Sequence, residues 1–198
     1  MGAAGDLPRF AFPVACTPGE TCWLVNHLDH ESGPGARDYA CGGRVYDGHK
    51  GTDIGLRDVA VMARGGEVLA AAAGVVRGTR DGVEDRFYQA AHASEVAGKE
   101  CGNGVLVDHG AGWVSQYCHL RKGSVSVQKG DRVTVGQKLG LVGMSGQAAF
   151  PHVHFEVRQH GRALDPFTGP EPDSALCGLA PGHLWSPAAL PLVAYWGY

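Results

Sequence analysis

The chain has no basic excess: 17 Lys and Arg stand against 20 Asp and Glu, for a net charge of -3. No Lys/Arg-rich run interrupts that balance, so the electrostatic footprint of a nucleic-acid-binding surface is missing. There is no apolar run long enough to cross a bilayer as a helix, hence no expected membrane span. The opening, MGAAGDLPRF, carries neither a basic n-region nor an apolar h-region and does not read as a secretory leader. Three enzyme signatures are also missing: the HExxH helix, the GxSxG nucleophile elbow and the P-loop. No CxxC pair occurs either, which argues against a zinc knuckle or a thioredoxin-type motif.

What is present describes a folded globular chain. With 198 residues, 44% hydrophobic and 19% charged, it fits one domain with appended segments and can bury its own core. Its 31 glycines and 11 prolines favour short strands and turns over long helices. Six cysteines, Cys16, Cys22, Cys41, Cys101, Cys118 and Cys177, form an even, scattered set that reads as disulfides. Disulfides place the chain in an oxidising compartment: periplasm, cell surface or medium. A precursor with a leader is then expected, with Met1-Gly2 as an artificial start. Full pairing also leaves no thiol for a cysteine nucleophile.

Residues 1–45 read as an irregular, cysteine-containing N-terminal extension, and 46–166 as the main domain, built from short β-like runs separated by glycines. Within it, residues 79–100 read as a long excursion loop with a helical turn. The Pro/Ala/Leu-rich tail, 167–198, is expected to pack back on the domain because it carries Cys177 and two tryptophans. The runs GVLVD and WVSQYC flank HGAG, a β-hairpin signal. A turn centred at 109–110 puts Cys101 opposite Cys118, making this the first expected disulfide, worth about 3 kcal/mol in the loop-entropy model. The other four cysteines allow three pairings, which stay open.

Three short motifs carry chemistry. In FPHVHFEVR (150–158), Val153, Phe155 and Val157 alternate with His152, His154, Glu156 and Arg158, as in a strand with one apolar and one polar face. In HKGTD, His49 and Asp53 are four apart and leave the same face of an extended segment. Gly48, Gly51 and Gly55 disfavour a helix there and let the backbone crowd close to an ion. The third motif is His119, which follows Cys118 at the end of the hairpin strand. Each alone has an ordinary explanation as a solvated or already hydrogen-bonded side chain. Together, His49, Asp53 and one histidine of the HxH pair make three ligands of the kind zinc takes, with a fourth position for water. The other histidine and His119 remain as imidazoles able to take a proton from that water.

The motifs GHKGTD, YCHL and GQAAFPHVHFEV, in that order, resemble the lysostaphin/LytM-type zinc endopeptidases of bacterial cell walls. The resemblance covers roughly residues 45–166. It implies an all-β fold, a compact antiparallel sheet or sandwich of the duplicated-hybrid-motif type, with the site in a groove on one sheet and disulfide-linked N- and C-terminal extensions around it. It implies one Zn2+ ion held by His49, Asp53 and His154, and a catalytic pair, His119 and His152. The substrate it implies is a peptide cross-link of peptidoglycan, a D-Ala–meso-diaminopimelate link for a Gram-negative source. The cysteine frame resembles periplasmic or secreted members.

The remaining histidines, His27, His30, His92, His160 and His183, have no partner at ligand spacing and are expected at the surface. His109 is expected in the hairpin turn with Asp108. Glu156 shares the polar face with His154 and has the chemistry to orient an imidazole through its second nitrogen. Tyr117 is expected, by alternation, on the same face as His119, either donating to an oxyanion or packing. Two rivals differ in class. One is a non-enzymatic wall-binding or amidase-activator module whose groove holds a partner protein; the presence of all five site residues argues against it. The other starts from VQKGDRVTVGQKLG, which resembles the rhythm of lipoyl- and biotin-carrier domains, but the modifiable lysine at a tight turn is missing.

Overall fold

The computed structural model describes residues 7–170 and 177–194. Among them the strands are β1 (Val14–Ala15), β2 (Cys22–Asn26), β3 (Thr52–Leu56), β4 (Glu67–Leu69), β5 (Gly74–Arg80) and β6 (Asn103–Gly110). They continue with β7 (Trp113–Leu120), β8 (Arg132–Val133), β9 (Lys138–Leu141), β10 (His152–Gln159) and β11 (Arg162–Leu164). Three short helices, α1 (Val59–Arg64), α2 (Ala93–Val96) and α3 (Leu190–Ala194), complete the set. All strand pairs are antiparallel, in a three-stranded sheet ordered β1-β4-β9 and a larger one ordered β2-β3-β10-β7-β6-β5-β8, with β11 against β10. The glycine-rich, helix-poor composition thus gives the expected antiparallel all-β architecture.

Strand β10 lies in the middle of the larger sheet, between β3 and β7. Its alternation is as expected: Val153, Phe155 and Val157 are fully buried in the core. The other face is not the exposed surface the sequence suggested, because His152 and Glu156 are each only 5% exposed. Loops roof this face and turn it into a groove.

The β6–β7 hairpin forms, but its turn is not at 109–110. Gly110 pairs with Trp113, so Ala111 and Gly112 make the turn, with φ of 49° and 78°. Two consecutive positive φ angles suit the right-handed strand twist, and a glycine at the second position makes them accessible. The shift takes Cys101 out of direct opposition to Cys118, yet the disulfide between them is present. The other pairs are Cys16–Cys22 and Cys41–Cys177.

The extensions are less separate than their composition suggests. Residues 1–45 are not wholly irregular: β1 pairs with β4, and β2 adds an edge to the larger sheet beside β3. Cys16–Cys22 closes the connection between these two strands. Phe10 and Trp185 are both fully buried, with ring centroids 6.1 and 5.9 Å from that of Phe155. The tail therefore contributes to the same core as β10, and Cys41–Cys177 ties it to the N-terminal segment. Trp196 lies outside the described residues. The excursion 79–100 is a loop with the expected helical turn, a 3-10 turn (Ala90–His92) leading into α2, although β5 runs on to Arg80. Asp85 fastens it down, its carboxylate accepting from the backbone N–H of Met144 and of Lys122.

Candidate metal centre

The antiparallel register sets Asp53 on β3 directly across from His154 on β10. His49 reaches the same point from the turn before β3. His154 Nδ1 is 2.9 Å from Asp53 Oδ1, His49 Nε2 is 3.1 Å from it, and the two imidazole nitrogens are 3.0 Å apart. These are the only His, Cys, Asp or Glu side chains among the described residues that cluster closely enough to hold a metal ion.

Each donor is oriented from behind. His49 Nδ1 is 2.6 Å from the carbonyl of His27, which can only accept, so the proton sits on Nδ1 and the Nε2 lone pair faces the cluster. The outer oxygen of Asp53 accepts from Asn26 Nδ2 at 2.9 Å. On the far side of His154, Nε2 is 3.8 Å from Glu156 Oε2, and Arg158 grips that carboxylate with two hydrogen bonds of 2.7 and 2.9 Å. Glu156 thus sits beside the second nitrogen, as its place on the strand suggested. Gly51 closes the back of the site, its backbone lying against the His154 ring.

The electrostatics of the protein without an ion show what the cluster demands. Burial works against the Asp53 charge, but the bonds from His154 and His49 outweigh it and hold its carboxyl well below the usual carboxylate range. Burial likewise opposes charge on His154, yet Asp53 and Glu156 raise it to about 9. The buried carboxylate thus favours positive charge beside it. Two nitrogens and one carboxylate oxygen converging with their lone pairs are a donor set suited to zinc, leaving one coordination position open. The residues fit the ion.

His119 and His152 stand beside this cluster, with ring centroids 4.6 Å apart. His119 Nδ1 donates to the carbonyl of Ser145 and His152 Nδ1 to that of Phe150, both at 2.8 Å. Each therefore presents a bare Nε2, and that of His152 is 3.8 Å from Asp53 Oδ1. Burial, aided by His152 and His154, pushes His119 down to about 3, and burial lowers His152 as well. Burial thus keeps both imidazoles neutral, each with its Nε2 lone pair free.

The structure brings together all five residues that the sequence singled out, and relocates others. Tyr117 does not share a face with His119: it is fully buried, and its hydroxyl accepts from the Ala71 N–H at 2.8 Å. His109 is on β6, not in the turn, with Nδ1 bonded to Ala73 O and Nε2 to Ser115 Oγ, both at 2.8 Å. His27 is no surface residue; it is 2% exposed, edge-on to Tyr39 and Phe167 at 4.9 Å. His30 is half-buried against Asp165 at 2.7 Å, and His183 is half-buried, whereas His160 is exposed as expected. The side chain of His92 lies outside the described residues. Asn26, Ser145 and Asn103 were not foreseen. Asn103 N–H donates to Ser145 Oγ, which in turn donates to Leu120 O, so both brace the carbonyl that orients His119.

Two cavities, of about 700 and 240 Å³, meet at Gly48, Lys50 and Glu156 and form a groove across the site. The larger passes His49 toward Arg162; the smaller holds His119 and His154 over Gln116 and Cys118.

Among solved structures, the fold is similar to a chain of the SpoIIQ–SpoIIIAH pore-forming complex, with a TM-score of 0.55 and 23% identity, covering 81% of this chain and 90% of that one. It is similar also to a zinc-containing peptidase from Vibrio cholerae, with a TM-score of 0.53 and 23% identity over 80% of this chain and 39% of that one. In sequence it is 39% identical over 64 residues to the peptidoglycan DD-endopeptidase ShyA of Vibrio cholerae, which is 32% of this chain and 14% of that protein. The murein hydrolase activator EnvC of Escherichia coli matches at 42% over 62 residues, 31% of this chain and 14% of that protein. An uncharacterized metalloprotease of Haemophilus influenzae matches at 32% over 120 residues, 61% of this chain and 20% of that protein. The chain thus spans a fifth or less of the length of these relatives. The family model for peptidase family M23 matches residues 47–166, more than half of the chain and a span holding the three clustered residues together with His119 and His152. By that match the chain belongs to peptidase family M23.

Proposed function

We propose that this M23 chain is a zinc endopeptidase that hydrolyses the peptide cross-links of bacterial peptidoglycan, in the periplasm or outside the cell. The observation that carries the reading is the convergence of His49 Nε2, Asp53 Oδ1 and His154 Nδ1 beside two neutral histidines with free Nε2 atoms. Bound by those three, zinc would supply the Lewis acidity that activates water and polarises a carbonyl at neutral pH. One of the pair His119 and His152 takes the water proton at Nε2, because each Nδ1–H is already committed to a backbone carbonyl. Once protonated, the same Nε2 is a donor, suited to the developing oxyanion and then to the leaving amine. The buried Asp53 carboxylate, 3.8 Å from His152 Nε2, offsets the positive charge while it is held. The groove admits an extended peptide, with Lys50 and Arg162 on the larger side to meet its carboxylates. Three disulfides and the cell-wall relatives support the location outside the cytoplasm.

The test combines metal analysis with mass spectrometry of fragments released from purified peptidoglycan. One zinc per chain and release of peptides cut within the cross-link are expected. Bound zinc with no release from any wall type would instead favour an activator or binding role, the kind the name of EnvC describes.

A further inference from the structure

Alternation along β7 sends Trp113, Ser115 and Tyr117 into the core and would send His119 the same way, out of the groove. Between the pairs Val105–Tyr117 and Asn103–Leu120, however, β7 has two residues, Cys118 and His119, where β6 has only Gly104. This is a bulge, and His119 occupies it with a φ of 63°, in the left-handed region that bulky residues rarely adopt. The change of hand swings its ring to the groove side, where Nδ1 meets Ser145 O.

Strand pairing with Gly104 does not hold His119 there. Its N–H donates to Cys101 O at 2.8 Å, and its carbonyl accepts from the Gly143 N–H at 3.0 Å. Cys101 reaches that position through a reversal at Gly102, with φ of 61°. Without restraint, such a glycine pivot leaves the preceding residue free to swing away. The restraint is covalent, because Cys101 Sγ is bonded to Cys118 Sγ. The bulge is thus enclosed by a ring: Cys101 O to His119 N–H, along the chain to Cys118, and through the sulfurs back to Cys101. Two neighbours serve this ring. Gly104 leaves room for it, since a methyl group there would lie 3.0 Å from Cys101 Sγ, and Gln116 Nε2 donates to both sulfurs at 3.3 and 3.0 Å.

We propose that the Cys101–Cys118 disulfide is a positioning device for His119: by pinning Cys101 against the bulge, it holds His119 in its left-handed conformation with Nε2 in the groove. The proposal rests on the reading of His119 as a proton carrier, and it makes turnover depend on the oxidation of this one disulfide. No cysteine of the other two disulfides adjoins a site residue in the chain, so these two serve as controls.

The test compares the zinc-loaded chain with Cys101→Ala/Cys118→Ala and with Cys16→Ala/Cys22→Ala. For the first, kcat on peptidoglycan peptides should fall by roughly 100-fold, as for a misplaced catalytic group. KM and zinc stoichiometry should stay as in the parent, a split that general loosening of the fold would not produce. The control pair should leave kcat unchanged. Equal kcat in the first variant and the parent overturns the proposal. Amide hydrogen exchange at His119 decides the matter even if no peptide is released by any form: faster exchange in the first variant supports the clamp, and unchanged exchange overturns it. If that variant fails to fold, graded reduction and alkylation of the parent chain replaces it. Activity lost in step with alkylated Cys101 supports the clamp; loss in step with Cys16 or Cys41 overturns it.

Discussion

A methyl group placed on Gly51 would lie 2.8 Å from both Cε1 and Nε2 of His154 and 2.6 Å from the carbonyl of Phe155. The glycine between His49 and Asp53 is therefore a requirement of the His154 ring position, 103 positions further along the chain. Gly51→Ala should push the His154 ring off its bearing on Asp53, at a cost of about 1–3 kcal/mol in overpacking. Zinc affinity measured by chelator competition should drop, and thermal unfolding of the metal-free chain should shift downward.

The division of labour within the cluster predicts two different losses. His154→Ala should lose both zinc and activity, because it removes one of three donors. His119→Ala should keep zinc and lose about 100- to 10,000-fold in kcat, the usual contribution of a positioned acid–base group. Metal content and single-substrate kinetics on the same preparations check both. A His119→Ala protein without metal, alongside a His154→Ala protein that keeps it, would reverse the assignment.

Asn26 holds the outer oxygen of Asp53 and, through it, the inner oxygen that faces the imidazoles. Asn26→Ala should weaken zinc binding by about 10- to 100-fold, in line with other partners of metal ligands. Asn26→Asp should be worse, because it sets a second carboxylate against the first. Isothermal titration with zinc gives both values.

Acid should weaken the fold through His109, whose ring nitrogens are bonded to Ala73 O and Ser115 Oγ. Burial lowers its pKa below the 6.5 usual for a histidine, overcoming the Ala73 carbonyl and Asp108, which raise it. Below 6.5 the unfolded chain binds a proton that the folded chain refuses, so stability is full above that pH and falls as the pH drops through the folded value. His109→Gln should flatten this slope. Urea denaturation of the metal-free protein across that pH range provides the measurement; an unchanged slope would exclude His109 as a contributor.

Trp185 tests whether the tail is part of the fold. Fully buried with its ring 5.9 Å from that of Phe155, it packs on the residue between His154 and Glu156 on the core side of β10. Trp185→Ala should cost about 3–5 kcal/mol, the range for a large core truncation, and should loosen the strand that carries the site. Equilibrium unfolding reads the cost directly.

Local patterns in the sequence were enough to single out the residues of the candidate site. A period of two buries Val153, Phe155 and Val157 and sends His152 and His154 to the opposite face, while His49 and Asp53, four apart, converge through the turn before β3 and not along one extended segment. These depend on backbone geometry within a few residues, so they survive without knowledge of the partner strands. Tyr117 and His119 show where that reasoning stops. The alternation that works for β10 fails on β7, because a bulge and one left-handed residue put the two rings on opposite faces. Asn26 was equally invisible, since its contact with Asp53 exists only once β2 has paired with β3. The polar face of β10 read as solvated and is roofed instead, and His27 read as surface and is core. Which residue types can bind a metal is written in the sequence. Which of their nitrogens point inward, and what holds them there, depends on strand register, bulges and buried carbonyls, which form only when distant segments meet.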